Sequence, residues 1–150
     1  MSINQTSSPL SDAQAGAIAQ LMNTRNRLTV QYTPERVLKE SADYILRLSE
    51  AGDVIACVQV KKVQWYQAEV LHLTVAEAYE RKGHAKALLC EAERVARTKG
   101  ARSLQCTIRA DNTASRKLFE GFGFMYTITF LNQGSGNNVC VFQKVLANAR

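Results

Sequence analysis

Residues 68–89 read Ala68-Glu69-Val70-Leu71-His72-Leu73-Thr74-Val75-Ala76-Glu77-Ala78-Tyr79-Glu80-Arg81-Lys82-Gly83-His84-Ala85-Lys86-Ala87-Leu88-Leu89. An aliphatic run rich in β-branched residues gives way to a short charged loop, a glycine, and apolar residues at a spacing near 3.6. That pattern predicts a strand, a loop and a helix. The first N–H groups of such a helix have no partner within it, and the helix dipole adds partial positive charge. The turn at 81–86 therefore suits an anion such as a pyrophosphate. Gly83 and Ala85 let the backbone approach a phosphate closely, while Lys82 and Lys86 add formal charge. Alone, the stretch reads first as an ordinary helix start with solvated lysines; the anion-site reading depends on what lies downstream.

A second stretch follows the next strand-like run: Arg109-Ala110-Asp111-Asn112-Thr113-Ala114-Ser115-Arg116-Lys117-Leu118-Phe119-Glu120-Gly121-Phe122-Gly123-Phe124. Together the two segments resemble the GNAT superfamily of N-acetyltransferases. Its members carry R/Q-x-x-G-x-G/A before a helix and N-x-x-[AS]-x-x-[LF]-[YF]-x-x-x-G-F further on. Here the first reads Glu80-Arg81-Lys82-Gly83-His84-Ala85, and the second runs from Asn112 to Phe124. The resemblance spans residues 43–146 and weakens toward the amino end.

The resemblance implies an α/β fold: a mixed, mostly antiparallel sheet flanked by helices, with one parallel strand pair splayed around acetyl-CoA. It implies that Leu73, Thr74 and Val75 hold the pantetheine arm. Arg81, Lys82, Gly83, His84, Ala85 and Lys86 would hold the pyrophosphate, and Asn112, Ser115 and Phe119 would lie along the arm. Asn112 and Asp111 also read as helix caps. Two positions depart from the family pattern. Glu80 stands where the family has Arg or Gln, and a carboxylate repels phosphate. Phe119 stands where many members carry a Tyr, and a phenyl ring donates no proton.

Acyl transfer to an amine needs the ammonium to lose a proton. Glu69 occupies the strand position at which histone-type members carry their base; it also reads as a solvated strand carboxylate. His72 is the second candidate, since imidazole titrates near neutrality. Strand alternation puts it on the face opposite Glu69 unless a bulge intervenes. With Phe119 unable to donate, Tyr126, Ser115 or water would protonate the leaving thiolate. The implied activity is acetyl-CoA-dependent N-acetylation of an amine on a protein, a polyamine or another small molecule. Glu80 and Phe119 also suit a module of the same fold that binds coenzyme A or a partner without efficient turnover.

The remaining residues set bounds. The 150-residue chain is long enough for one domain with a sizeable core; 46% of its residues are hydrophobic and 21% charged. It contains no apolar run of eighteen residues, so no membrane span is expected, and residues 1–9 lack the features of a signal peptide. A cytoplasmic location is the expectation. Nineteen Lys and Arg against thirteen Asp and Glu give +6, which favours an acidic partner. The basic residues cluster at Arg81/Lys82/Lys86 and Arg116/Lys117, beside the cofactor segments, so nucleic acid ranks below a polyphosphate cofactor. Cys57, Cys90, Cys106 and Cys140 are too widely spaced for a metal clasp; no metal is expected, and the thiols read as reduced, mostly buried filler. A monomer and a homodimer both fit.

Residues 1–9 read as a polar arm closed by Pro9, and 10–150 as a single domain. Helices are expected over 12–26 and from Pro34 through Ala42. Strands follow over 44–48, 54–63 and 69–75, then a helix over 83–99. A strand over 103–109 should pair parallel with 69–75 because a helix intervenes. A short helix after Asn112 and a hairpin of 125–131 with 139–145 complete the order. Family members begin with a strand before the first helix; here residues 2–6 supply either a poor edge strand or none.

Overall fold

The computed structural model describes residues 3–5, 9–26, 28 and 30–146. In chain order they form β1 (Ile3–Gln5), α1 (Asp12–Arg25), α2 (Pro34–Lys39), β2 (Tyr44–Leu48), β3 (Val54–Lys62), β4 (Gln67–Val75), α3 (His84–Thr98), β5 (Ser103–Arg109), α4 (Thr113–Gly121), β6 (Met125–Asn132) and β7 (Asn137–Val145). The strands follow the order β1-β2-β3-β4-β5-β7-β6. The mixed, mostly antiparallel sheet with one parallel pair is therefore observed: β4 pairs parallel with β5, while β1/β2, β2/β3, β5/β7 and β6/β7 pair antiparallel. Of the arm expected over 1–9, residues 1, 2 and 6–8 lie outside the described residues. Ile3–Gln5 supply the edge strand, with Ile3 opposite Arg47.

Packing divides the chain into two compact units, residues 1–60 with 72–92, and 61–71 with 93–150. In the first, Ser11 opens α1 with a capping box: Gln14 N–H donates to Ser11 Oγ, and Ser11 N–H to Gln14 Oε1, each at 3.1 Å. Ala15, Ile18, Ala19 and Met22 recur at helical spacing and are buried with Val37, Tyr44, Leu46 and Cys57. Pro34 sits in the first turn of α2, which Thr33 caps. The expected continuation through Ala42 is not made. The helix stops at Lys39 and a 3-10 turn, Ser41–Asp43, delivers Tyr44 into β2 opposite Gln59.

The second unit is built on β5. Leu104, Cys106 and Ile108 alternate inward, and all seven residues of β5 pair with β7, from Ser103↔Val145 to Arg109↔Val139. The parallel register with β4 covers three pairs, Gln67↔Ser103 to Glu69↔Gln105. Asn112 caps α4 through Ser115 N–H. Phe119 and Phe124 meet edge-to-face at 5.1 Å, and Tyr126 and Phe142 at 5.9 Å. Every residue of β6 is exposed.

Leu46, fully buried in the first unit's core, tests that core directly. Leu46→Ala is expected to lower unfolding free energy by about 2–5 kcal/mol, through lost transfer energy and the cavity left behind, measured by urea denaturation.

Candidate active site

The strand before the charged loop is not regular. His72 has φ +54°, a left-handed conformation rare for a residue with a β-carbon. Its carbonyl accepts from Thr74 Oγ1 at 2.9 Å, with Cys57 Sγ at 3.9 Å. Thr74 is buried, and its hydroxyl accepts in turn from Asn26 Nδ2 at 3.0 Å. These bonds hold the kink. Burial keeps its parity through it, with Ala68, Val70 and Thr74 all buried.

The His72 ring is held as firmly. Tyr32 Oη lies 2.6 Å from His72 Nε2, and the two rings stand edge-to-face at 4.9 Å. With the ring proton on Nδ1 the phenol donates to Nε2, and with it on Nε2 the ring donates to the phenol oxygen; the spacing serves both tautomers. Asn23 fixes Tyr32 by bonding both backbone groups of that residue, at 2.9 and 2.8 Å. The Arg36 guanidinium lies 4.2 Å from the Tyr32 ring centre. Burial pushes the His72 pKa down, the Arg36 cation pushes it further, and Glu40 opposes both. At neutral pH the ring is a free base. Glu40 itself accepts from Gln59 Nε2 at 2.9 Å.

The loop at 80–86 lies in the same unit. After a 3-10 turn, Glu77–Tyr79, Arg81 and Gly83 both take left-handed backbone, at φ +60° and +86°. Gly83 allows this without strain, and space for a β-carbon there is open. Its carbonyl accepts from Ala87 N–H at 3.1 Å, so it begins α3 and leaves the N–H groups of His84, Ala85 and Lys86 without intrahelical partners. Arg81, Lys82, Ala85 and Lys86 are wholly or partly exposed, and the Lys82 ammonium lies 5.5 Å from the Tyr79 ring centre. Free amides, left-handed backbone and three cations form a donor set that fits a diphosphate. Leu73 and Val75, in the last residues of β4, are half-buried.

His84 points inward rather than to the loop surface. It is 3% exposed; Arg47 Nε donates to its Nδ1 at 2.7 Å, and its Nε2 is buried without a partner. Burial, then the Arg47 and Lys82 cations, lower its pKa. It anchors the start of α3 as a neutral ring. Glu80, the departure from the family pattern, is bonded by Arg25 from the last turn of α1.

In the second unit, Glu69 is half-buried; burial raises its pKa while Lys61 opposes this. Asn112 Oδ1 accepts from Ser115 N–H at 3.2 Å, and Phe119 is buried against Phe124. Tyr126 is about half exposed, with Oη 2.8 Å from Thr129 Oγ1. Burial pushes the thiols of Cys57 and Cys106 up to about 12, which removes both as nucleophiles. No group of three or more metal-ligating side chains occurs among the described residues. Nor is any helix there long and apolar enough to cross a membrane.

Tyr32, Arg36, Arg25 and Arg47 escaped the sequence reading. Each acts across a separation in which no periodicity survives; Tyr32 and His72 are 40 residues apart, Arg25 and Glu80 are 55. One signal was present: an acid at position 80 in a loop otherwise rich in Arg and Lys points to a cation partner.

The chain matches the Acetyltransferase (GNAT) family over residues 14–124 and belongs to that family. No curated protein sequence matches it. In fold it is similar to Ard1 from Thermoplasma volcanium, with a TM-score of 0.83, 20% identity and 98% of each chain covered. It is similar also to YncA from Salmonella typhimurium, solved with its cofactor acetyl-CoA, at a TM-score of 0.80 and 19% identity, over 100% of this chain and 96% of that one. A third is the ribosomal-protein-S18-alanine N-acetyltransferase from Escherichia coli, at 0.76 and 17%, over 95% and 94%.

His72 and His84 have folded-state pKa values below their ordinary 6.5. The unfolded chain therefore binds more protons below that pH, and the stabilisation they give is complete above 6.5 and lost as pH falls through the folded values. Urea midpoints are expected to decline as pH falls below 6.5 in the wild type. The His72→Gln/His84→Gln double variant should show a shallower decline.

Proposed function

We propose that this protein is an acetyl-CoA-dependent N-acetyltransferase that acetylates a primary amine by direct attack, the acceptor being a small molecule or a protein amine. The observation that carries this reading is the left-handed backbone at Arg81 and Gly83, which opens the amides of α3 beside Lys82 and Lys86 in a chain of the GNAT family. Acetyl-CoA supplies the activated acyl group as a thioester. Arg81, Lys82 and Lys86, with the N–H groups of His84, Ala85 and Lys86, hold the diphosphate. The edge of β4 at Leu73, Thr74 and Val75 bonds the amides of the pantetheine arm as an added strand would; the family pattern assigns Asn112, Ser115 and Phe119 to that arm as well.

His72 and Tyr32 take the acceptor's proton. The ammonium gives a proton to Tyr32 Oη as the phenol passes its own to His72 Nε2, and the neutral amine results. The 2.6 Å spacing and the lowered His72 pKa support this relay. Glu69 is the competing base. Tyr126 Oη, or Ser115 Oγ, holds the proton needed by the leaving sulfur. Four free thiols, at Cys57, Cys90, Cys106 and Cys140, fit a reducing cytoplasm. Phe119 favours a second reading, a coenzyme A binding module without turnover, which predicts binding but no thiol release.

Release of coenzyme A thiol with a panel of primary amines tests both readings; binding with no release on any amine supports the module. The pH profile alone does not choose the base. Glu69 is raised from 4.5 and His72 lowered from 6.5, so both acid limbs fall toward the same interval. His72→Gln is expected to lower kcat/KM by about 10²–10⁴ and to abolish that limb, with Glu69→Gln leaving the limb in place. The reverse outcome moves the role to Glu69.

A further inference from the structure

The anion loop carries its own acid, and α1 answers it. Residues 77–86 hold Glu77 and Glu80 against Arg81, Lys82 and Lys86, a net charge of +1. Arg25 binds Glu80 through Nη2, while its Nη1 lies 3.9 Å from Glu77 Oε2, which brings the local total to +2. Both carboxylates reach solvent, Glu80 with 44% and Glu77 with 85% of its side chain exposed. Exposed ion pairs contribute little to folding. The consequence of this pair lies in the field at the loop.

We propose that Arg25 is a positioning residue for diphosphate binding: it neutralises Glu80 and draws that carboxylate toward α1, so that the loop presents cations to the anion. The proposal rests on the acetyl-CoA reading. Arg25 stands in for the missing Arg or Gln of the loop from a different element, and the two positions act as one unit. Asn23 in the last turn of α1 and Asn26, its C-cap, bond Tyr32 and Thr74, so the turn that carries Arg25 is fixed in place.

Isothermal calorimetry with coenzyme A on the full chain, at low and at moderate salt, reads this charge balance, and thermal melts of each free variant report folding separately. Arg25→Gln is expected to weaken binding about tenfold at low salt, because an unpaired Glu80 carboxylate then faces the diphosphate. Arg25→Lys should keep affinity within about threefold of wild type. Glu80→Gln alone should tighten binding, since it frees a cation. The Arg25→Gln/Glu80→Gln double variant should return to near the wild-type value, and the differences should shrink with salt. Wild-type affinity in Arg25→Gln, or an equal loss with and without Glu80, overturns the proposal. Failure of the wild type to bind coenzyme A overturns the acetyl-CoA reading and this proposal with it.

Discussion

The hydroxyl of Thr74, reaching back along its own strand to the carbonyl of His72, is the bond on which the site depends. A left-handed residue with a β-carbon inside a strand costs on the order of 1–3 kcal/mol and persists only where its surroundings over-determine it. Here Thr74 and Cys57 satisfy the displaced carbonyl, Asn26 fixes Thr74, and Tyr32 holds the ring. Within a continuous β4, the left-handed residue sets an imidazole against a phenol, next to residues that would bond a ligand.

The end of α1, with its C-cap, supplies much of the scaffolding. Asn23, Arg25 and Asn26 reach three different targets: the backbone of Tyr32, the carboxylate of Glu80 and the hydroxyl of Thr74. The inward face of the same helix, through Ile18, Ala19 and Met22, is packed in the core with Tyr44 and Leu46. Apolar burial holds the helix, and its polar end places the groups of the site. Beneath the loop, the Arg47 bond to a neutral His84 lets a cation sit beside an imidazole without a second positive charge.

Most of the architecture was legible because it rests on local periodicity. Apart from α2, each expected strand and helix from α1 onward was placed within two residues of its bounds. Two features were not. β1 has three residues and no alternation to speak of, and it exists through its pairing with β2. The end of α2 at Lys39 is set by the demand that Tyr44 enter a strand, which outweighs the helical spacing of Ala42. At the site, the loop from Arg81 to Lys86 and the cap at Asn112 were readable from residue type. The left-handed His72 was not, since nothing in an alternating strand marks where such a residue falls, and its bond to Tyr32 joins segments with no common pattern.

β6 forms the outer margin of the sheet, and its eight residues include no charge, glycine or proline while Met125, Tyr126, Ile128, Phe130 and Leu131 stand open to water. Such a margin offers unpaired peptide groups to any neighbour. The surplus of six positive charges sets a mutual repulsion between copies of this chain against that pairing in dilute buffer. In molar salt, where screening reaches only about 3 Å, that repulsion is gone. Colloidal behaviour is then governed by the bare margin rather than by the composition of the whole.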